Sequence, residues 1–341
     1  MLSSKKSCFA NPFSHIYIEH AIRHHPTTLR IINGLPRATI LEIASYKHIF
    51  NRGKQNFELQ KKSPKLILAQ KQPPFVYPFS QNCQQAGFKQ AVYVTPALGC
   101  RFNCDFCFLH GMYNSANLVV FVNTEDVFAE LNAILNSSPS SPLLSPTGDH
   151  CPLFVSISYE TDLIALESIC GLAGDWIEFC RQHPNVFVEC RTRSGQIKQL
   201  SSPPSPGNFL LAWSLNPDEV IRRYEHGAPG LEKRLTAVDA ALSEGWPVRI
   251  CFDPILPGPG FEKRYSQLFE TVFSRIPADS LFDVTAGPFR MGKDFFKRIR
   301  RQRPWCDLFY PSENVDSTTT YSAILQRLCD FVPEGKLVVW E

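Results

Sequence analysis

With 341 residues the chain has room for one large α/β domain with appendages or for two domains, and its 44% hydrophobic content excludes wholesale disorder. A formal charge of +3 permits an acidic partner such as nucleic acid without demanding one. No apolar run approaches a membrane span, and MLSSKKSCFANPFSHIYIEH at the start has two lysines but no apolar core behind them, so neither an anchor nor a secretory leader is expected. Twelve cysteines in so long a chain do not read as a disulfide framework. They point to a reducing, cytoplasmic setting, where clustered cysteines bind metal or act in catalysis.

In chain order, FSHIYIEHAI reads as a strand turning into a helix or loop, and SPKLILAQ, ending at Gln70, as a strand. The proline-rich, polar run QKQPPFVYPFSQNCQQAGF reads as a surface connection. The pattern sharpens at Lys89: a strand over Ala91–Thr95, broken by Pro96 and Gly99, then a cysteine-rich loop, then a strand over Leu118–Asn123. A helix starts at Thr124, a suitable N-cap, with Glu125 and Asp126 in its first turn. SSPSSPLLSPTGD is loop. PLFVSISY (strand), LIALESICGLAGDWIEFCRQH (helix), NVFVECRT (strand), GQIKQLSS (short helix) and NFLLAWSLN (strand) follow. GLEKRLTAVDAALSEG (helix), PVRICFDPIL (strand), FEKRYSQLFETVFSRI (helix) and SLFDVTAG (strand) continue the alternation.

Strands alternating with helices imply βα units and a parallel sheet. Six such strands lie between Lys89 and Phe289, with LVVFVN set aside because no helix separates it from the strand before it. Six units are too few for a closed eight-stranded barrel. The expectation is an α/β fold, a partial (β/α)6 TIM-like barrel over residues 86–304, with an N-terminal α/β appendage over 1–85 and a short C-terminal extension over 305–341. Chemistry is then expected at the C-terminal ends of the strands.

Directly after the first barrel strand, CRFNCDFC sets Cys100, Cys104 and Cys107 at C-x3-C-x2-C spacing. Thiolates are soft, anionic ligands, and three of them can hold three irons of a [4Fe–4S] cubane while the fourth iron stays open. A zinc site is the bland alternative. Zinc usually takes paired C-x2-C knuckles, and only one C-x2-C is present here.

These residues resemble the motif of the radical S-adenosylmethionine superfamily. Within it, CRFNCDFCFLHGMY followed by VFVNTEDVFAEL, with FSHIYIEHAI upstream, resembles the spore photoproduct lyase family, and the likeness runs from about residue 13 to about residue 304. The resemblance implies a DNA repair enzyme that reverses a thymine–thymine photoproduct by a radical route. It implies S-adenosylmethionine chelated on the open iron, and a reducing partner such as flavodoxin or ferredoxin. It also places residues. Thr161 in SYETD falls at a ribose-contacting hydroxyl position, and Arg193 in CRTRSGQ matches a lysine that pairs with the cofactor carboxylate. Ser214 and Asn216 in AWSLNP match a polar pair at the next strand end, and Asp253 ends the strand after that. The bland readings are caps and turns for Thr161, Asp162, Ser214 and Asn216, and a surface cation for Arg193.

The chain departs from the family where hydrogen is returned to the substrate. The family's hydrogen-donating cysteine aligns with Tyr159, and its two tyrosines flanking the third cluster cysteine align with Phe106 and Phe108. A tyrosine is chemically admissible as a donor. Cys251 is a second candidate, sharing strand parity with Asp253, against the alternative of a small buried hydrophobe. LFYPSENVDSTTTYSAIL is too short and polar for the family's lesion-probing hairpin.

The run KDFFKRIRRQRP carries Lys293, Lys297, Arg298, Arg300, Arg301 and Arg303. Lys293, Lys297 and Arg301 (or Arg300) share a helical face that could neutralise DNA phosphates, and Arg290 precedes them near where the family meets its lesion. The alternative is a solvated helix face. Three functions therefore stand: a photoproduct lyase, a radical enzyme with another substrate, and a cluster-bearing nucleic-acid-binding protein without catalysis.

Overall fold

The computed structural model describes residues 13–79, 88, 90–136, 152–200, 204–310 and 317–340. The boundary expected near residue 85 and the loop over 137–149 lie outside the described residues.

The chain opens with β1 (His15–Glu19), α1 (Pro26–Gly34), β2 (Thr39–Ile43), α2 (Lys47–Phe50), α3 (Phe57–Lys62) and β3 (Leu66–Ala69). It continues with β4 (Val76–Pro78), β5 (Gln90–Val94), β6 (Ala97–Leu98), β7 (Asn103–Cys104), α4 (Leu109–Met112), β8 (Leu118–Phe121) and α5 (Thr124–Asn136). Next come β9 (Leu153–Ser156), α6 (Leu163–Cys170), α7 (Leu172–Gln182), β10 (Val186–Thr192), β11 (Phe209–Ser214), α8 (Asp218–Tyr224), β12 (Glu225–His226) and α9 (Leu231–Ser243). The last elements are β13 (Val248–Ile255), α10 (Phe261–Arg275), β14 (Asp283–Pro288), α11 (Lys293–Gln302), α12 (Ser317–Cys329) and β15 (Leu337–Val339).

Two large sheets result. One has the order β2-β1-β3-β8-β6; the other runs β15-β14-β13-β11-β10-β9-β5-β4. The six expected strands, β5, β9, β10, β11, β13 and β14, lie parallel in the second sheet. The sheet does not close on itself: β4, antiparallel to β5, and β15, parallel to β14, are its two ends. LVVFVN stands outside the alternation because its strand, β8, belongs to the other sheet, parallel to β3; the one-turn helix α4 precedes it, where none is expected.

Alternation along the barrel strands separates two environments. Val92, Val155, Val188, Leu211, Ile250 and Val284 join one hydrophobic core under the helices. On the opposite parity stand Tyr93, Ser156, Glu189, Arg191, Arg249, Cys251, Asp253 and Asp283, lining the inner face. Low on that face, Arg249 donates to Asp283 (2.5 and 2.6 Å) and Glu189 (2.5 Å), all three buried.

Local expectations are corrected in three places. The proline-rich connection contains β4, an edge strand whose proline sits at its end, where the ladder tolerates it. GQIKQLSS forms no helix over its described residues, because Ser194 Oγ satisfies Gln196 and a single turn, Leu200 N to Ile197 O, buries Ile197 and Leu200. The long helix over 163–183 breaks at Gly171, whose φ of +64° ends α6, while Glu167 caps Ala173 and Gly174 at the start of α7. Within the C-terminal extension, β15 completes the sheet edge, and the described part of LFYPSENVDSTTTYSAIL holds helix, the start of α12, rather than a hairpin. Among the described residues no helix is long and apolar enough to cross a membrane.

Candidate functional site

The cysteine loop leaves β6, which follows β5, through a tight turn at Gly99. Its φ is +85°, and a Cβ there would lie 2.9 Å from the Asn117 carbonyl oxygen, so glycine alone fits. Cys104 is then fixed by pairing of β7 with β12, opposite Glu225, and Cys107 N donates to Cys104 O at 3.1 Å. All three thiols are free; Cys104 is buried and the other two half-buried. Burial pushes all three thiols up, Cys100 to about 12, so each is protonated until a metal replaces the proton.

These residues fit a cubane. Soft donors come from one loop, Phe102 N–H donates to Cys100 Sγ at 3.4 Å, and Lys61, Arg193 and Arg303 surround the thiols with positive charge. A single ion fits less well: among the described residues no three His, Cys, Asp or Glu side chains converge to hold one. Each cubane thiolate binds a different iron, so a cluster asks for wider spacing than zinc does.

Beside the loop, the strand ends present polar atoms that make no hydrogen bond. Thr161 Oγ1, Arg193 Nε and Ser214 Oγ are buried and lack a hydrogen bond, and they follow or end β9, β10 and β11. Buried polar groups are normally paired, so three orphans at adjacent strand ends mark where a polar ligand belongs. Asp162, not Thr161, caps α6: it accepts from Ala165 N (3.0 Å), Thr192 Oγ1 (2.7 Å) and Arg193 N (2.7 Å). The turn-capping alternative for Thr161 is thereby set aside.

Arg193 is no surface cation. Its Nε lies 3.4 Å from Glu225 Oε1, and its guanidinium stands 5.4 Å from the Phe106 ring centre. Glu225 was not visible in the sequence; nothing in YEHGAPG marks it. It is buried beside Cys104 and bonded to Arg234 and Asn216. Burial pushes its carboxyl up, but Arg193 and Arg234 outweigh that and hold it below the usual range. Asn216 differs from Ser214: its amide is already engaged by Glu225 (2.8 Å) and by the Tyr265 hydroxyl (2.8 Å). It orients Glu225. Asp253 accepts from Arg191 at 3.3 Å on the inner face.

Tyr159 stands at the barrel mouth, 36% exposed, its ring centre 5.0 Å from Tyr93 and 5.4 Å from Phe108. Cys251 is wholly buried, but on the polar inner face between Arg249 and Asp253 rather than in the apolar core. Burial pushes its thiol up as well.

The basic run forms α11. Lys293, Lys297, Arg300 and Arg301 are exposed, as is Arg290 before it. Two members of the run face inward, contrary to a uniformly solvated or DNA-facing helix. Arg298 donates to the carbonyls of Gly111 (3.1 Å) and Tyr113 (3.3 Å), and Arg303 is buried against Asp105.

Comparison with known proteins bears on these residues. The model of the spore photoproduct lyase family matches residues 84–308. A spore photoproduct lyase of Bacillus subtilis (strain 168) is 24% identical over 199 residues, 57% of this chain and 55% of that protein. One of Geobacillus sp. (strain Y412MC61) is 23% identical over 232 residues, 66% of this chain and 62% of that protein. The chain thus matches less than two thirds of the length of these relatives. A solved spore photoproduct lyase mutant with bound AdoMet and dinucleoside spore photoproduct shares the fold, with a TM-score of 0.75 and 18% identity, covering 96% of this chain and 98% of that one.

Proposed function

Since this chain belongs to the spore photoproduct lyase family, we propose that it is a radical S-adenosylmethionine lyase that reverses a thymine photoproduct in DNA. The observation that carries the reading is the row of buried polar atoms at Thr161, Arg193 and Ser214 that make no hydrogen bond, beside three free thiols. A related solved structure, with AdoMet and a dinucleoside photoproduct bound, supports both ligand classes.

Cys100, Cys104 and Cys107 would hold the [4Fe–4S] cluster, and Arg193, Ser214 and Thr161 would hold S-adenosylmethionine. Bound together, the two supply one-electron cleavage of a carbon–sulfur bond and a radical able to abstract hydrogen. Arg193 offers a cationic fork for a carboxylate, and Glu225 fixes the orientation of that fork. The hydroxyls of Thr161 and Ser214 gain their missing partners when a polar ligand arrives. Phe108, Tyr93 and Tyr159 wall the mouth with rings, which exclude water and offer faces to an extruded base. The electron would come from a small reduced carrier such as flavodoxin or ferredoxin.

A second reading keeps the radical chemistry but changes the substrate. Tyr159 at the place of the family's donor thiol, with Phe106 and Phe108 flanking Cys107, favours it. Anaerobic reconstitution followed by reaction with ultraviolet-irradiated oligonucleotide separates the two. The lyase reading expects restored thymines, aberrant products from Tyr159→Phe if Tyr159 returns the hydrogen, and cleaner repair from Tyr159→Cys. Cofactor cleavage with no attack on the photoproduct by any of the three chains would transfer the function to another substrate. A reconstituted chain that cleaves no cofactor would leave only a cluster-bearing binding protein.

A further inference from the structure

The cysteine loop is gripped from outside by one helix. On one flank of the thiols, Arg303, at the end of α11, is 1% exposed in its side chain and spreads its guanidinium over three partners. It donates to Asp105 Oδ1 at 2.5 Å, Asn103 Oδ1 at 2.6 Å and Glu58 Oε1 at 2.8 Å. Asn103 and Asp105 bracket Cys104. The second oxygen of Asp105 meets His226 Nε2 at 2.9 Å, and its amide donates to Tyr224 O at 2.8 Å. On the other flank, Arg298 of the same helix donates to the carbonyls of Gly111 and Tyr113 just past Cys107. Gly111 lies so close that a Cβ would stand 2.6 Å from Phe295. Lys61 of α3, the helix that also carries Glu58, donates to Phe102 O at 2.7 Å and to Cys100 O.

We propose that Arg303 is a positioning residue for the cluster: through Asn103 and Asp105 it holds Cys104 in register with Cys100 and Cys107. This rests on the reading that these three cysteines hold a [4Fe–4S] cluster. A two-residue strand pair, β7 with β12, is too short to fix a loop alone, and a planar fork with several donors fixes orientation where a point charge fixes only distance. The burial of Arg303 also separates it from Lys293, Lys297, Arg300 and Arg301 of α11, which are exposed.

The test compares wild type with Arg303→Met and Arg303→Lys, each reconstituted anaerobically. Readouts are iron per chain, the rate of cluster loss to EDTA, and the electron paramagnetic resonance spectrum of the reduced cluster with and without S-adenosylmethionine. Thermal unfolding of the metal-free chains sets the folded fraction. Arg303→Met is expected to lose its cluster roughly ten- to a hundred-fold faster, as removal of a group supporting metal ligands usually does. Its spectrum should broaden and respond less to S-adenosylmethionine. Arg303→Lys, which keeps a cation for Asp105 but loses the fork, should fall between. If Arg303→Met does not fold, the Arg303→Lys rate and spectrum decide. Wild-type retention and spectra in a folded variant would overturn the proposal, as would iron loss only in proportion to unfolding. A wild-type chain that takes up no iron would overturn the cluster reading itself, and this proposal with it.

Discussion

The floor and the mouth of the barrel hold buried polar groups in opposite states. On the floor, Arg249 is matched by Glu189 and Asp283, and every charge of the set has an opposite partner. At the mouth, Thr161, Arg193 and Ser214 keep buried donor or acceptor atoms without a hydrogen bond, although Arg193 faces Glu225. Both lie on one inner face, so burial alone does not explain the difference. A complete set is built for folding; an incomplete one costs free energy that the fold recovers only when a ligand arrives. The loop of free thiols stands beside the incomplete set.

The largest expected effect breaks the mouth outright. Cys100→Ala, Cys104→Ala and Cys107→Ala should each abolish [4Fe–4S] absorbance and cofactor cleavage, while alanine at Cys170, Cys180 or Cys190, buried under the helices, should leave the cluster intact. Full activity in any of the first three would remove the assignment.

The floor answers differently. Arg249→Met takes the cation from buried Asp283 and leaves buried Glu189 only Arg191, 3.7 Å away, which should cost about 3–5 kcal/mol in urea unfolding. The folded fraction should bind S-adenosylmethionine as before. A loss of affinity with unchanged stability would erase the contrast between the two layers.

At the mouth the signature crosses over. Arg193→Ala removes a charge-assisted contact of about 1.5–3 kcal/mol, so cofactor affinity should fall roughly ten- to a hundred-fold in the cluster-loaded chain. Ser214→Ala should weaken binding by a smaller factor, about five-fold for a neutral bond of near 1 kcal/mol. Its stability should hold or rise, because an unpaired buried hydroxyl is removed. Calorimetric binding and unfolding on the same preparations read both quantities. Unchanged affinity in Ser214→Ala would mean that its hydroxyl faces no ligand.

What could be read in advance follows from how far each feature reaches along the chain. The six barrel strands announce themselves through local alternation and turn residues, and the cysteine loop through spacing within eight residues. Their order along the chain is enough to put Thr161, Arg193 and Ser214 at neighbouring strand ends, since βα units add strands side by side. β4 was hidden because three residues among prolines carry no period. Glu225 and Arg303 were hidden for another reason: Arg303 meets Asp105 across 198 positions, and nothing near either residue distinguishes a buried clamp from one more cation in a basic run. The bonds of Asn216 to Glu225 and Tyr265 are not legible in the sequence, because proximity along the chain does not tell which neighbour an amide will satisfy.

The smallest effect concerns the outer face of α11, where the same helix divides its charges. Arg298 and Arg303 turn inward to the cysteine loop, whereas Lys293, Lys297 and Arg301 stay exposed. If the exposed set meets DNA phosphates, each contact releases a counterion, and affinity falls with salt by a slope of about 0.9 per phosphate. Removing Lys297 and Arg301 together should therefore flatten the slope of log affinity against log salt by roughly 2, with little change between sequences. Because neither side chain reaches the cysteine loop, iron content and cofactor cleavage should stay at wild-type levels. The inward pair is expected to do the reverse, harming the cluster before it alters the salt slope. Fluorescence anisotropy on a duplex, taken at several salt concentrations, measures the slope directly. A slope unchanged by the double substitution would return Lys297 and Arg301 to an ordinary solvated face, and DNA would have to approach the barrel mouth from another side.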